Sequence, residues 1–278
     1  MEELQLDRLK TTVEIVYENV PFYKERFDQI GFKPQHLKEL KDLENIPFTV
    51  KDDLRTNYPY EMFAVPINQI VRLHASSGTT GKPTVVGYTK NDLKTWSELV
   101  ARMVVETGVN EDDIAQISFG YGLFTGAFGL HYGLERLGAT VVPISTGNTE
   151  RQIRLMKDFG STVLVSTPSY AMYMSEVAEK LGFKPEQLSL RIGLFGSEAS
   201  TDEMLSELER KWGILATENY GLSEVMGPGI SGDCHMKCGM HIAEDHFIPE
   251  IIDPDTGQVL PPGEEGELVL TTITKEGL

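Results

Sequence analysis

The most constraining feature of the sequence is a regular alternation of short apolar runs and longer amphipathic segments between residues 113 and 217. The runs predict strands and the segments predict helices. Parallel strands need helical crossovers, so this alternation predicts an α/β fold with mostly parallel sheets flanked by helices. The predicted strands are 113–118, 140–144, 162–166, 190–195 and 214–217, and the predicted helices are 126–137, 149–159, 168–181 and 201–212.

The two ends of the chain follow different patterns. Residues 3–30 show helical periodicity that Pro21 interrupts, and further prolines divide residues 33–66 into short pieces. After Gly239, residues 247–252 and 267–272 read as strands joined by a turn-rich segment. We therefore predict a helical lead-in over residues 1–70 packed on the main body, an α/β core over 71–238 and a small β subregion over 239–278.

Composition excludes several classes of protein. The chain of 278 residues has 25 Lys and Arg against 42 Asp and Glu, a net charge of −17, which argues against nucleic acid as a partner. We do not expect the charged, helical N-terminus to be a signal peptide, and we expect no membrane span, because no stretch is long and apolar enough for one. Two cysteines in close sequence do not make a disulfide framework. We expect a cytoplasmic protein with small-molecule partners.

A loop of hydroxyl residues, glycines and one lysine, SSGTTGKPT, occupies residues 76–84. Its backbone N–H groups, hydroxyls and Lys82 suit the binding of a phosphate. The spacing differs from that of a Walker A loop, because only two residues separate Gly78 from Gly81 and Pro83 follows the lysine. Proline favours a continuing strand over a helix. The alternative is a hairpin turn without a ligand.

Three further segments follow predicted strands, at residues 120–126, 196–198 and 219–224. The carboxyl ends of parallel strands lie at one edge of a sheet, and open α/β sheets bind their ligands at that edge. We therefore expect ligand-binding residues among these segments.

Three motifs, taken in order, resemble those of the adenylate-forming enzymes, the acyl- and aryl-CoA synthetase superfamily: SSGTTGKPT, GLFGSEAS and NYGLSE. Within this superfamily the chain is most similar to the phenylacetate–coenzyme A ligases. The similarity extends to YENVPFYKERF, FGYGLFTGAFGLHYGLERLGATVVPIS, TPSYAMY and HIAEDHF, and it spans nearly the whole sequence.

The resemblance implies roles for the motif residues. The first loop would hold the triphosphate of ATP, through Ser76, Ser77, Gly78, Thr79, Thr80, Gly81 and the catalytic Lys82. Tyr220 would stack on adenine, with Asn219 or Glu198 near the adenine edge. Ser223 would contact a phosphate oxygen, and Glu224 would ligate Mg²⁺, which prefers oxygen ligands. Taken singly, Tyr220 and Glu224 would be a packed tyrosine and a solvated glutamate.

A slot for the flat ring of the acid is a further expectation. Tyr121, Phe124, Gly126 and Ala127 would shape it, and Gly196 and Ser197 would close it. The alternative for each of these residues is ordinary core packing. Ser197 and Ala199 depart from the Ala and Pro that many members of the family carry at these positions.

Cys234, Cys238 and His241 lie within eight residues, with His235 and His246 nearby. Thiolate and imidazole at such spacing suit zinc. The resemblance implies further cysteine ligands beyond residue 278, so a zinc site here would be half built. The alternative is a pair of free thiols in a loop.

The resemblance implies an AMP-forming ligase that converts an aryl-acetic acid, phenylacetate, to an adenylate and then to its coenzyme A thioester. Its cofactors would be ATP, Mg²⁺ and coenzyme A, and a homodimer is compatible with it. In the family an Arg-Tyr-Arg-Thr-x-Asp stretch and a C-terminal lid domain follow the position of Leu278, so we expect incomplete activity from residues 1–278 alone. A related ligase for indoleacetate or benzoate, and a non-catalytic nucleotide-binding protein, are the alternatives.

Overall fold

The chain begins with helices, as predicted, and they belong to the first of two units in the computed structural model, which describes residues 1–76 and 82–277. Unit 1 comprises Met1–Leu93, Ser223–Val225 and Ile242–Leu278. Unit 2 comprises Lys94–Leu222 and Met226–His241. The domain boundaries predicted at residues 70 and 238 stay a prediction.

In chain order the helices are α1 (Glu2–Asn19), α2 (Pro21–Gln29), α3 (Lys51–Thr56), α4 (Lys90–Glu106), α5 (Gly126–Leu137), α6 (Thr149–Phe159), α7 (Pro168–Lys180) and α8 (Asp202–Trp212). The strands are β1 (Arg72–Ala75), β2 (Val85–Tyr88), β3 (Ile114–Ile117), β4 (Thr140–Val142), β5 (Val163–Ser166), β6 (Ile192–Gly196), β7 (Leu215–Leu222), β8 (Met226–Asp233), β9 (Met240–Ile242), β10 (Phe247–Ile252) and β11 (Glu267–Thr272).

Unit 1 is built on the amphipathic faces of α1 and α2. Val20 separates the two helices and Pro21 is the first residue of α2, a position where its missing N–H costs nothing. Two antiparallel pairs, β1 with β2 and β10 with β11, complete the unit. Its core consists of Leu9, Val13, Val16, Val20, Phe27, Phe32, Leu37, Leu43, Met62, Ala64, Ile248 and Ile273.

Unit 2 contains the predicted sheet, with strand order β4-β3-β5-β6-β7-β8-β9. The pairs β3–β4, β3–β5, β5–β6 and β6–β7 are parallel. The order in which strands are added to the sheet reverses at β3, since β4 lies on one side of it and β5 on the other. Such switch points are where α/β sheets bind ligands. The prediction of a mostly parallel sheet flanked by helices is confirmed.

Helices α5 and α6 have the predicted bounds, whereas helix α4 and strand β8 are among the elements that were not predicted. Helix α4 carries a buried face of Trp96, Leu99, Val100, Met103 and Val104. Strand β8 is antiparallel to β7 and buried throughout.

Strand β8 was missed because its sequence, MGPGISGD, contains residues with low strand propensity. Tertiary contacts hold it instead. Trp96, 1% exposed, donates a hydrogen bond from Nε1 to the Pro228 carbonyl at 2.7 Å.

The last described residues are fixed to the junction of β2 and α4 in unit 1. The Asp92 carboxylate accepts hydrogen bonds from the backbone N–H groups of Glu276 at 2.7 Å and Gly277 at 2.9 Å. Thr89 donates from Oγ1 to Glu276 at 2.6 Å. These contacts hold Lys275 inside the unit, where it is 5% exposed and its Nζ lies 4.9 Å from the centroid of the Tyr88 ring.

Burial lowers the pKa of Lys275 from 10.5 to about 8, although the Asp92 and Glu224 carboxylates act in the opposite direction. Among the described residues, Nζ has no hydrogen-bond partner. Lys275 is therefore a buried cation that interacts with the Asp92 and Glu224 carboxylates without a hydrogen bond to either.

No helix in residues 1–76 or 82–277 has both the length and the hydropathy that a membrane span requires.

The packing of α5 on α4 predicts that Gly133→Ala destabilises the protein. A methyl group at Gly133 would lie 2.3 Å from Val100 Cγ1 and 3.1 Å from the Ala101 nitrogen. Overpacking costs about 1–3 kcal/mol and outweighs the helix propensity that alanine adds, about 1 kcal/mol. Urea denaturation should show a lower free energy of unfolding. Gly122→Ala is the matched control because nothing lies within 4 Å of its added methyl group; equal stabilities for the two variants would contradict the packing argument.

The burial of Lys275 predicts a pH-dependent stability difference between wild type and Lys275→Met. The unfolded chain keeps the ordinary pKa of 10.5, so between about pH 8 and 10.5 it binds more protons than the folded chain. In the wild type, the free-energy cost of burying the charged Lys275 ammonium is therefore complete below about pH 8 and vanishes toward pH 10.5. At about 1.4 kcal/mol per pKa unit it amounts to about 3 kcal/mol.

We expect the stability of the Lys275→Met variant relative to wild type to fall by up to about 3 kcal/mol from pH 7 to pH 10, measured by urea denaturation at each pH. Lys41→Met, at an exposed position, is the control for loss of a positive charge. A difference that stays constant across this pH range would show that Lys275 does not titrate there.

Candidate active site

The β1–β2 hairpin of unit 1 carries the predicted phosphate loop. The Ser76 N–H donates to the Thr84 carbonyl at 3.0 Å, and the Thr84 N–H donates to Ser76 Oγ at 3.0 Å. Both bonds close the base of the loop, so the Ser76 hydroxyl has a structural function in addition to any contact with a ligand. The predicted ATP-binding residues Ser77, Gly78, Thr79, Thr80 and Gly81 lie outside the described residues.

Lys82 is exposed at the end of this loop. Its Nζ lies 5.7 Å from the centroid of the Tyr58 ring, a cation–π contact that leaves the three N–H donors available. The chain continues from Pro83 into strand β2 and not into a helix, as the proline predicted.

Glu224 lies in the turn Ser223–Val225 that joins β7 to β8, and Ser223 beside it is buried. The Glu224 side chain is 19% exposed, and its Oε1 lies 3.0 Å from Lys51 Nζ. Oε1 is nevertheless without a hydrogen bond of good geometry among the described residues, so this contact is an ion pair that does not saturate the oxygen. A partly buried carboxylate with spare acceptor capacity fits a hard cation such as Mg²⁺.

In unit 2, two of the predicted motifs are adjacent. The parallel register of β6 and β7 pairs Gly196 with Asn219. Asn219 donates from Nδ2 to the Phe195 carbonyl at 2.7 Å. A methyl group at Gly196 would lie 2.6 Å from the Asn219 carbonyl oxygen, so this close approach requires glycine. The side-chain amide of Asn219 thus fixes the end of β6.

The residues that flank this pair are more exposed. Tyr220 is 40% exposed, so the face of its ring is accessible for stacking. Ser197 has a φ of 70°, a left-handed conformation that turns the chain sharply after β6. Glu198 accepts a hydrogen bond from the Ser169 N–H at 2.5 Å, in the first turn of α7. This bond gives Glu198 a helix-capping function that the sequence did not predict.

Tyr121 is half-buried in the loop after β3, and its hydroxyl is 3.0 Å from His131 Nδ1. His131 Nε2 in turn lies 3.1 Å from Glu135 Oε1, one turn further along α5. Burial raises the pKa of the Tyr121 hydroxyl well above its usual range, and the Glu135 charge adds to this. Tyr121 therefore stays protonated, and its hydroxyl is oriented by His131. His131 was not predicted from the sequence, although its spacing of four residues from Glu135 was a usable signal.

The other predicted ring-slot residues surround the start of α5. Phe124 is 42% exposed and stacks on Phe119, with 6.4 Å between the ring centroids. Gly126 and Ala127 are buried in the first turn of the helix. Phe124 is thus the accessible aromatic surface of this group, and the two small residues are packed.

Cys234 and His241 form a pair in unit 2. Their side-chain hydrogen bond lowers the pKa of the thiol and raises the pKa of the imidazole. Cys238 is exposed and in no disulfide. Across residues 1–76 and 82–277, no three His, Cys, Asp or Glu side chains come close enough together to hold a metal ion. Two donors do not fit the four of a structural zinc site, so zinc stays a prediction that these residues alone do not support.

Comparison with known proteins agrees with these motifs. The sequence profile of a family described as AMP-binding enzymes matches residues 5–274. The phenylacetate-coenzyme A ligase of Aromatoleum evansii is 54% identical over 100% of this chain and 63% of its own length. The phenylacetate-coenzyme A ligase of Escherichia coli (strain K12) is 51% identical over 100% of this chain and 64% of its own length.

A solved structure of a 2-hydroxyisobutyryl-CoA ligase, in complex with 2-HIB-AMP and CoA, superimposes with a TM-score of 0.94 at 27% identity. It matches 99% of this chain, which covers 60% of that one. This agreement shows the fold of an adenylate-forming enzyme. The chain spans less than two thirds of the length of the curated relatives, 63% of the Aromatoleum evansii ligase. The similarity to phenylacetate–CoA ligases predicted from the motifs is confirmed. With a family profile that covers all but a few residues at each end, the chain belongs to the AMP-binding enzyme family.

Proposed function

We propose that this chain is the ATP- and acid-binding portion of an AMP-forming aryl-acid–CoA ligase, with phenylacetate as its acid. The observation that carries the proposal is the register of β6 and β7, which sets the glycine of one predicted motif against the asparagine of the next, beside the exposed ring of Tyr220. The relatives named phenylacetate-coenzyme A ligase, 51% and 54% identical, support the choice of acid.

The chemistry requires two anions, the carboxylate of the acid and the α-phosphate of ATP, to approach each other. Their repulsion has to be offset by fixed positive charge and by N–H donors. Lys82 and the N–H groups of the loop after Ser76 would supply these to the triphosphate, and Ser223 would add a contact to a phosphate oxygen. Tyr220 would stack on the adenine, with Asn219 Oδ1 as an acceptor at its edge.

Glu224 would hold Mg²⁺ through the spare capacity of its carboxylate. When bound, the ion would neutralise phosphate charge. Glu198 caps α7, so its proposed contact with adenine requires the carboxylate oxygen that Ser169 does not use.

Tyr121 and Phe124 would contact the aromatic ring of the acid. The Tyr121 hydroxyl is bonded to His131, so it would add one polar point to the proposed ring slot. The later thioester step, with coenzyme A as co-substrate, belongs to the whole protein and is proposed for it alone.

We expect Glu224→Gln to weaken binding of ATP to this chain in the presence of Mg²⁺ by at least about tenfold, equivalent to about 1.4 kcal/mol. The amide keeps the shape of the side chain but removes the charge that attracts the ion. Isothermal titration calorimetry measures the effect. Glu264→Gln, at an exposed position of the same unit, is the matched control. If both variants bind Mg²⁺–ATP as tightly as wild type, Glu224 is not a metal ligand.

The full-length protein that contains this chain should release pyrophosphate faster with phenylacetate than with benzoate. One methylene in an apolar pocket changes kcat/KM by about 10–200-fold. Indoleacetate, with its larger ring, tests the width of the slot. A preference for benzoate or indoleacetate would leave the adenylation chemistry intact and refute the proposed acid.

A further inference from the structure

Lys51 contacts the proposed metal ligand, although no motif of the sequence points to it. Its Nζ lies 3.0 Å from Glu224 Oε1, and both residues belong to unit 1. The two are 173 positions apart in the sequence, so the contact depends on the tertiary fold.

The backbone of Lys51 is well anchored. Lys51 is the first residue of α3, and Asp53 caps this helix by accepting from the Val50 N–H at 2.9 Å. Arg26 holds Asp53 through an ion pair at 3.1 Å, and it also donates to the Phe48 carbonyl at 2.9 Å. These contacts fix the backbone of Lys51, so its side chain extends toward Glu224 from a fixed position.

The contact leaves room for a cation. A carboxylate offers about four lone-pair sites on two oxygens, and one ammonium at 3.0 Å from Oε1 takes up only part of this capacity. Mg²⁺ takes one or two carboxylates and keeps several waters, so it needs a single oxygen of Glu224. Lys51 can thus restrict the carboxylate to one orientation without excluding the ion.

A second cation, buried inside unit 1, also interacts electrostatically with Glu224. Lys275 is buried, and its charge interacts with Glu224 and Asp92. Asp92 is occupied by the N–H groups of Glu276 and Gly277. Lys51 is the cation that touches Glu224 directly, and 52% of its side chain is exposed.

We propose that Lys51 is a positioning residue, whose ammonium holds the Glu224 carboxylate in the orientation that binds the Mg²⁺ of Mg²⁺–ATP. The proposal rests on the proposed function, in which Glu224 is the metal ligand. Because 52% of the Lys51 side chain is exposed, we expect its replacement to leave the fold intact and to reveal the effect on the ligand.

The test is calorimetric titration of ATP into this 278-residue chain, with Mg²⁺ and with EDTA in its place. With Mg²⁺, Lys51→Met should weaken ATP binding by about five- to tenfold, and Lys51→Arg should restore most of the loss. With EDTA, Lys51→Met should bind ATP like wild type. In the Glu224→Gln background, adding Lys51→Met should change the affinity little. Lys41→Met is the matched control at an exposed lysine of unit 1.

The outcomes separate this inference from the proposed function. Wild-type affinity for Lys51→Met in Mg²⁺ overturns the inference and leaves the proposed function standing. An equal loss with Mg²⁺ and with EDTA, or an undiminished loss in the Glu224→Gln background, also overturns it, because Lys51 would then act on the phosphates directly. No binding of ATP by the wild-type chain would refute the proposed function, and this inference with it.

Discussion

The parallel pairing of β6 with β7 is the interaction on which the candidate site of unit 2 depends. It brings Gly196 and Asn219 to the same level of the sheet, and the absence of a side chain at Gly196 allows the Asn219 carbonyl to approach. The bond from Asn219 to the Phe195 carbonyl then fixes that strand end. A register shift of one residue would point Asn219 to the opposite face. The positions of Ser197, Glu198 and Tyr220 all follow from this one pairing.

Unit 1 places positive charges close to Glu224, although the chain as a whole is acidic. The chain carries a net charge of −17, yet Glu224 has Lys51 in contact and Lys275 acting on it from the interior. Desolvation costs dominate at Lys275, as the direction of its pKa shift shows. The hydrogen bonds of Glu276 and Gly277 to Asp92 fix the backbone directly after Lys275 and so help to keep it buried. Net charge therefore says little about the field at the proposed phosphate site.

Much of the fold could be predicted from the sequence because its signals are local. The bounds of α5 and α6 follow from periodicity, and the left-handed residues Gly138 and Gly160 that end them are visible as glycines. Helix α4 carried the same kind of signal in its buried face and could have been found. Strand β8 could not, because Gly227, Pro228 and Gly229 contradict strand propensity and are held by tertiary contacts, among them the hydrogen bond from Trp96 and the pairing with β7.

The residues of the candidate site also form two groups, those that a sequence motif predicts and those that only the tertiary structure reveals. Tyr220 and Gly196 were identifiable because a motif fixes their spacing, whereas Lys51 and His131 act through partners that the fold supplies. Lys51 meets Glu224 across most of the chain, and the hydroxyl of Tyr121 meets His131 across the loop that precedes α5. Glu198 shows the converse, since its motif position suggested a ligand contact and the structure adds the capping of α7. A motif thus identifies residues by what they do for a ligand, while the residues that orient them are set by tertiary packing and leave no fixed spacing in the sequence.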